Sequence, residues 1–542
     1  MSSKLETWTS RSFFGGSMQF SEAFSFDDVA PGRMPGRIAS KLETWTNLCF
    51  FRVKFLIMQY SGSVFAICTL AVFSAISQLS AQHQDYFPDP DPLVQQRLEE
   101  WQDLKFGLLM HWGAYSQWGI VESWSICPED LGWASGARKP GIADTYNDYV
   151  RAYEQLPKTF NPTQFNPEKW AAAAKNAGMK YLVFTTKHHD GFCMFDSKYT
   201  DYKITGPDCP FATHPRSNVT KEVFNAFRNQ GLWAGAYFSK PDWHTPYYWW
   251  DYFPVSDRNC NYSIQKHPEQ WAKFVEFTHN QIDELMSDYG KVDILWLDGG
   301  WVRTKTKDEI AAELAEEYEN SRWARNPQSQ DIDMAGLVKK ARAKQPGLIV
   351  VDRAVPGVHQ NYLTPEQHIP ETGLPYPWET CMTMANSWSY VPNDVYKPTD
   401  EIIEKLVDIV SKGGNYLLNI GPGPDGEWHD NAYSRLEAIG AWMRTNGEAI
   451  YGSRMYSSFS EGEKVRFTQS KDGKTQYVFL FDYPEEALVL QKLKPTKGTE
   501  IFLLGSRAEL KWKTTAKGTS IELPADLKGA GEHVWVLKVS GK

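Results

Sequence analysis

A single carboxylate stands where a strand would deliver it. In Val292 to Trp301, VDILWLDGGW, an apolar run ends abruptly in Asp298 and two glycines, which predicts a buried parallel strand with Asp298 at its C-terminal end. Gly299 and Gly300 permit a tight turn there, with Trp296 and Trp301 as walls of a pocket. Such a carboxylate can act as nucleophile or base, or simply cap the next helix. Cleaving a glycosidic bond also needs a proton donor on the other side of that bond. Glu366 in the loop LTPEQ, Glu371 in the following loop and Glu379 in strand-like PWETC are the candidates. No GxSxG elbow offers a serine nucleophile in place of Asp298.

Histidines gather at two other strand ends: His111 after FGLLM, and His188 and His189 in KHHDG. Neighbouring residues on a strand face opposite ways, so the pair shares a metal only if the chain turns. No HxH follows the first strand, so the expectation is no metal, with the histidines hydrogen-bonding sugar hydroxyls. Aromatic residues make up 14% of the chain, including 22 Trp and 26 Tyr, a supply that suits stacking on sugar rings as well as a core. A net charge of -9 without a long Lys/Arg block argues against nucleic acid. The absence of GxGxxG and Walker loops argues against a nucleotide cofactor, and none is expected.

The elements that must hold these groups alternate. Strands are predicted at Phe106 to Met110, Lys180 to Thr185, Leu232 to Phe238, around Asp298, and at Leu348 to Val351, Trp378 to Met384 and Tyr416 to Ile420, with helical stretches between them. Polar groups follow nearly every strand, the rim pattern of a (β/α)8-like TIM barrel. Seven strands are visible; the eighth is expected between Met384 and Tyr396. Beyond Gly452 short strands separated by Gly, Lys and Asp turns predict an antiparallel β-sandwich that braces the barrel. The expected division is 93–451 for the catalytic domain and 452–542 for the sandwich.

Val64 to Ile76 is an apolar run of signal-peptide length ahead of Ser80-Ala81-Gln82. This predicts a signal peptide over 58–81 starting at Met58, with a mature secreted or periplasmic protein beginning near Gln82 and no membrane segment of its own. Residues 1–57, which repeat SKLETWT, read as a non-native or disordered extension. Five cysteines, Cys127, Cys193, Cys209, Cys260 and Cys381, remain beyond it without a CxxC pair. A dense disulfide framework is therefore not expected.

Six motifs in order, FGLLMHWGAYS, KHHDGFCMFDS, GAYFS, ILWLDGG, PWETCMT and GGNYLLNIGPGPDG, resemble the α-L-fucosidases of glycoside hydrolase family 29 from Phe106 to Gly426. The resemblance implies a barrel backed by a β-sandwich, retaining hydrolysis of terminal α-L-fucose on fucosylated oligosaccharides or glycoconjugates, and no metal. It makes Asp298 the nucleophile. His111, His188, His189, Tyr237, Trp296 and Arg353 match sugar-holding positions, with Glu122 a looser match. The acid/base position is poorly fixed in the family; Glu366 is the first choice and Glu379 the runner-up. Two rivals are a same-fold hydrolase of α-L-galactosides, separable by comparing nitrophenyl glycosides, and a non-catalytic fucose-binding protein, which any turnover excludes. The export reading predicts that N-terminal sequencing of protein secreted by its native host begins near Gln82; a mature chain that retains Met1 to Tyr60 contradicts it.

Overall fold

A computed structural model describes residues 86–128, 138–315, 326–506 and 508–541; the segments read as extension and signal peptide lie outside them. Seven strands form one parallel sheet: β1 (Phe106–Met110), β2 (Tyr181–Lys187), β3 (Trp233–Ser239), β4 (Ile294–Asp298), β5 (Ile349–Asp352), β6 (Glu379–Thr383) and β7 (Asn415–Asn419). Their order is β5-β4-β3-β2-β1-β7-β6. Helices run between and around them: α1 (Pro92–Leu104), α2 (Tyr146–Tyr153), α3 (Pro167–Asn176), α4 (Val219–Asn229), α5 (Pro268–Asp288), α6 (Lys307–Ala315), α7 (Met334–Lys344), α8 (Thr399–Ser411) and α9 (Asp430–Asn446).

The strand period of two separates two cores. Ile294 and Trp296 pack inward with Val183, Tyr237, Val351 and Leu417. Leu295 and Leu297 pack outward with the helices. This double burial is why most of the strands read as largely apolar runs, with β6, ETCMT, the exception. Local signals start the helices where expected: α3 opens with Pro167 after Asn166, whose side chain accepts a hydrogen bond from the Lys169 amide.

The eighth stave is not where the sequence placed it. Residues 384–396 form bends and turns, without a strand. The gap between β5 and β6 is spanned instead by the irregular segment 359–367. It bonds β5 through Asp352 N to His359 O at 2.9 Å and Asn361 N to Val350 O at 3.0 Å. It bonds β6 through Glu379 N to Leu363 O at 2.8 Å and Gln367 N to Cys381 O at 2.9 Å. Pro365 lacks an amide proton, which breaks any regular ladder, so the segment carries no apolar signature even though it fills the place of a strand.

The remaining strands are antiparallel: β8 (Ser453–Glu461), β9 (Val465–Ser470), β10 (Thr475–Leu480), β11 (Leu488–Leu490), β12 (Glu500–Leu503), β13 (Trp512–Thr515), β14 (Gly518–Ile521) and β15 (Trp535–Ser540). They form sheets of five and three strands over their own apolar core. Arg466 Nε donates to Asp408 Oδ1 on α8 at 2.5 Å and Trp442 Nε1 on α9 donates to Val534 O at 2.8 Å, so this unit packs against the barrel's helices. All five cysteines of the described residues are buried and form no disulfide.

Immediately after β4, Gly299 adopts φ +89°, and a Cβ there would meet Pro241 Cδ at 2.3 Å. Gly231 has a similar φ of +80° with nothing within 4 Å of a Cβ. Gly299→Ala is therefore expected to cost about 1–3 kcal/mol in urea unfolding and to lower turnover by displacing the Asp298 carboxylate. Gly231→Ala, strained in φ alone, should cost less and leave turnover intact; equal effects contradict this account.

Candidate active site

At the C-terminal rim a cavity of about 470 Å³ is lined by Asp298, Glu366, His111, Glu122, His188, His189, Tyr237, Trp296 and Arg353. Nine of the ten residues expected at the site thus meet in one place. The tenth, Glu379, is buried and is not among the lining residues. Glu371 is exposed and lies outside the lining as well.

Asp298 is held from three sides. The Tyr237 hydroxyl donates to Oδ2 at 2.7 Å, Arg353 Nη1 donates to Oδ1 at 3.1 Å, and the Gly299 amide donates to Oδ1 at 2.8 Å. Burial works against ionisation here, but Arg353, His189, Tyr237 and the Gly299 amide outweigh it and hold the carboxyl well below the usual carboxylate range. Arg353 also pairs through Nη2 with Glu366, so one guanidinium bridges both carboxylates. The Glu366 side chain is 41% exposed and that of Asp298 16%. Glu366 thus sits at the outer lip, carried there by the irregular eighth stave.

The histidines do not alternate faces as a continuing strand would require. β2 ends at Lys187 and the chain turns, which brings the His188 and His189 rings to 4.3 Å. With Asp298 they are the one group of potential metal ligands among the described residues, with ligand atoms within 4.8 Å. The set fits a dication poorly: Asp298 already accepts three hydrogen bonds, one from a cation, and His188 Nδ1 is engaged by the Ser123 hydroxyl. His111 Nδ1 lies 2.8 Å from Asn419 Oδ1, whose amide is oriented by Nδ2 donating to Trp388 O at 2.6 Å. An amide oxygen only accepts, so Nδ1 carries the hydrogen and His111 Nε2 keeps a lone pair. Burial pushes His111 and His189 down to about 4 and His188 well below its ordinary value. All three are uncharged near neutral pH.

Glu122 is buried and its Oε1 accepts from the Ser389 amide at 2.9 Å. Burial pushes its carboxyl up to about 8, against its backbone hydrogen bonds and with help from Glu366 and Asp298. Several lining residues were missing from the expected set: Trp124, Arg258, Trp388 and Cys381, with Trp301 foreseen only as a wall. Trp124, Trp243 and Trp301 box the His189 ring at 5.1, 5.0 and 5.2 Å. Trp388 and Ser389 come from the very loop taken for a strand. Rim tryptophans in Glu-Ser-Trp-Ser and Asn-Ser-Trp-Ser were the available signal.

A barrel rim bearing two carboxylates over an aromatic, histidine-lined cavity is the equipment of a glycoside hydrolase, and comparison with known proteins shows that the protein is one. The family profile "Alpha-L-fucosidase" matches residues 73–448 and the profile "Alpha-L-fucosidase C-terminal domain" matches 460–540. The tissue α-L-fucosidase of Rattus norvegicus is 31% identical over 88% of this chain and 97% of its own. Alpha-L-fucosidase isoenzyme 1 from Paenibacillus thiaminolyticus superposes with a TM-score of 0.65 at 31% identity, over 83% of this chain and 100% of its own. The Thermotoga maritima α-fucosidase in complex with fucose gives 0.62 at 27%, over 84% and 99%. The chain belongs to the α-L-fucosidase family. No helix of the described residues is long and apolar enough to cross a membrane.

The buried Glu122 makes a pH-dependent prediction. Its folded pKa, about 8, lies above the ordinary value of 4.5, so between these values the folded chain keeps a proton that the unfolded chain releases, and stability falls as pH rises. Glu122→Gln removes this loss. Its melting temperature relative to the native protein should therefore rise from pH 5 to pH 8; a difference independent of pH contradicts the assignment.

Proposed function

We propose that the protein is a retaining exo-glycosidase that removes terminal α-L-fucose from fucosylated glycans through a covalent fucosyl-enzyme, within a catalytic domain of residues 93–451 braced by the sandwich of 452–542. Arg353 bridging Asp298 and Glu366 carries this reading. One guanidinium shared by two carboxylates keeps them facing each other across it, in keeping with the close pair, roughly 5–5.5 Å apart, that a retaining enzyme requires.

Asp298, ionised and aimed into the cavity, attacks the anomeric carbon. Glu366 delivers a proton to the departing oxygen, and a β-fucosyl ester results. In this structure Glu366 is paired with Arg353; a sugar hydroxyl that takes its place on the guanidinium releases Glu366 to hold a proton. Glu366 then deprotonates the water that opens the ester from the original face, so the α configuration is retained. His111, His188, His189, Glu122 and Tyr237 serve the sugar hydroxyls as uncharged hydrogen-bonding groups. His189 Nδ1 is buried and without a partner among the described residues, and so is free to engage one. Trp296 and Trp301 supply apolar surface for the C6 methyl. Export as a secreted or periplasmic protein is part of the proposal; no metal or cofactor takes part in it.

Asp298→Ala should lose at least about 10³-fold in turnover, and added azide should give β-fucosyl azide. Glu366→Ala should lose activity on fucosides with poor leaving groups, whereas the first step with a nitrophenyl leaving group is largely spared. Azide should then accelerate breakdown of the ester and give α-fucosyl azide. Near-native activity of Asp298→Ala, or this pattern in Glu379→Ala in place of Glu366→Ala, overturns the assignment.

A further inference from the structure

β4 runs between β3 and β5, and a buried ion pair joins the ends of those two neighbours. Lys240, the first residue after β3, continues the ladder: its amide donates to Asp298 O at 2.9 Å. Its side chain is fully buried, and Nζ donates at 2.5 Å to Oδ1 of Asp352, the last residue of β5. Asp352 is buried as well, and the chain passes directly from it into Arg353, whose amide donates to Leu297 O at 3.1 Å. The segments after β3 and β5 thus each grip the end of β4 through the backbone, and the ion pair links them to each other. Two charges taken out of water are costly unless they stay paired, so each fixes where the other can be.

The turn that carries Asp298 lies between the two linked segments. A Cβ on Gly299 would meet Pro241 Cδ at 2.3 Å, and a Cβ on Gly300 would meet Arg353 O at 2.9 Å and Ala354 Cβ at 3.2 Å. The residue after Lys240 and the residues after Asp352 therefore press on the turn from two sides. Ala354 has φ +59°, a conformation that an L residue holds only where its surroundings impose it. Val355 N donating to Asp352 O at 3.1 Å closes that bend. Arg353 leaves the bend and reaches Asp298 Oδ1 at 3.1 Å. Its Nε is buried with no hydrogen-bond partner among the described residues, which gives the backbone a larger share in setting where the guanidinium sits.

We infer that Lys240 and Asp352 are positioning residues: their ion pair closes a clamp around the turn from Asp298 to Gly300 and so holds the Arg353 guanidinium against the Asp298 carboxylate. This rests on the reading of Asp298 as the nucleophile. Neither Lys240 nor Asp352 is among the residues that line the cavity; both act through the turn and through Arg353.

The test uses the full chain, with kcat on nitrophenyl α-L-fucoside read well below each variant's melting midpoint. Lys240→Met leaves Asp352 buried and unpaired and should lower both the midpoint and kcat. The deciding variant is the double one, Lys240→Met with Asp352→Leu. Apolar side chains of similar volume often replace a buried ion pair without loss of stability, so its midpoint should recover most of the loss. Its kcat should stay at least about tenfold below native, since small misplacements of reacting groups are costly in rate. Arg97→Met is the control. It breaks the 2.6 Å pair with Asp293 at the opposite end of β4. It should lower the midpoint and keep kcat within about twofold of native, because no reacting group moves. A double variant with native kcat would make the pair structural only and overturn the inference. A loss in Arg97→Met as large as that in the double variant would overturn it too, by showing that any loosening of β4 slows the reaction. Should the double variant fail to fold, Asp352→Asn decides, since it keeps the shape and an acceptor for Lys240 but loses the charge. A fall in kcat of more than about threefold supports the clamp and a smaller one overturns it. Asp298→Ala is assayed alongside: if it is fully active the nucleophile is wrong, whereas if it is inactive and the double variant has native kcat, only the positioning role falls.

Discussion

Arg353 lies between two carboxylates at the mouth of a barrel, and the site's electrostatics follow from it. Desolvation alone would favour a neutral Asp298; the guanidinium reverses that and keeps the carboxylate ionised in a largely buried place. The same cation holds Glu366 at the lip. Around this charged centre the protein places uncharged hydrogen-bonding groups. The three histidines are pushed toward their neutral forms and Glu122 toward its acid form, all by burial. A neutral sugar with several hydroxyls suits such a lining, because each hydroxyl can be met without adding a charge to the pocket.

Backbone geometry supplies the positions. β4 ends on Asp298, and Gly299 turns the chain at a φ that L side chains rarely adopt while donating its amide to the carboxylate. Glu366 is reached differently, on a segment that bonds to β5 and β6 without becoming a strand. One carboxylate is therefore on a rigid element and the other on an irregular one. That asymmetry fits the roles proposed for them: a nucleophile has one target atom, whereas an acid/base must serve a leaving oxygen and then a water.

What was legible in the sequence follows from burial. The strands β1 to β7 are buried, so apolar runs betrayed most of them, with β6, ETCMT, the exception, and Asp298 was legible as the abrupt end of one. The eighth stave was illegible because Pro365 interrupts it and its residues, His359 to Gln367, include no apolar run; the loop holding Trp388 and Ser389 was taken in its place. β8 and β13 leave little trace in the sequence because they are partly exposed and lack a strong apolar alternation. The pairing of His188 and His189 in one pocket depends on a turn after Lys187, which Asp190-Gly191, with Gly191 at φ +79°, marks just beyond the pair. Glu379 looked like a possible acid because of its motif, and only its burial and its hydrogen bond from Tyr181 showed it to lie inside the barrel.

The central claim is that Asp298 becomes covalently bonded to fucose. Incubating the enzyme with a 2-deoxy-2-fluoro-fucosyl donor bearing a good leaving group, followed by proteolysis and mass spectrometry, tests it most directly. The account predicts one added fluorofucosyl group on the peptide containing Val292 to Trp301, with fragmentation placing it on Asp298. A label on any other residue, or full turnover of the donor with no labelled peptide after rapid quenching, would contradict it.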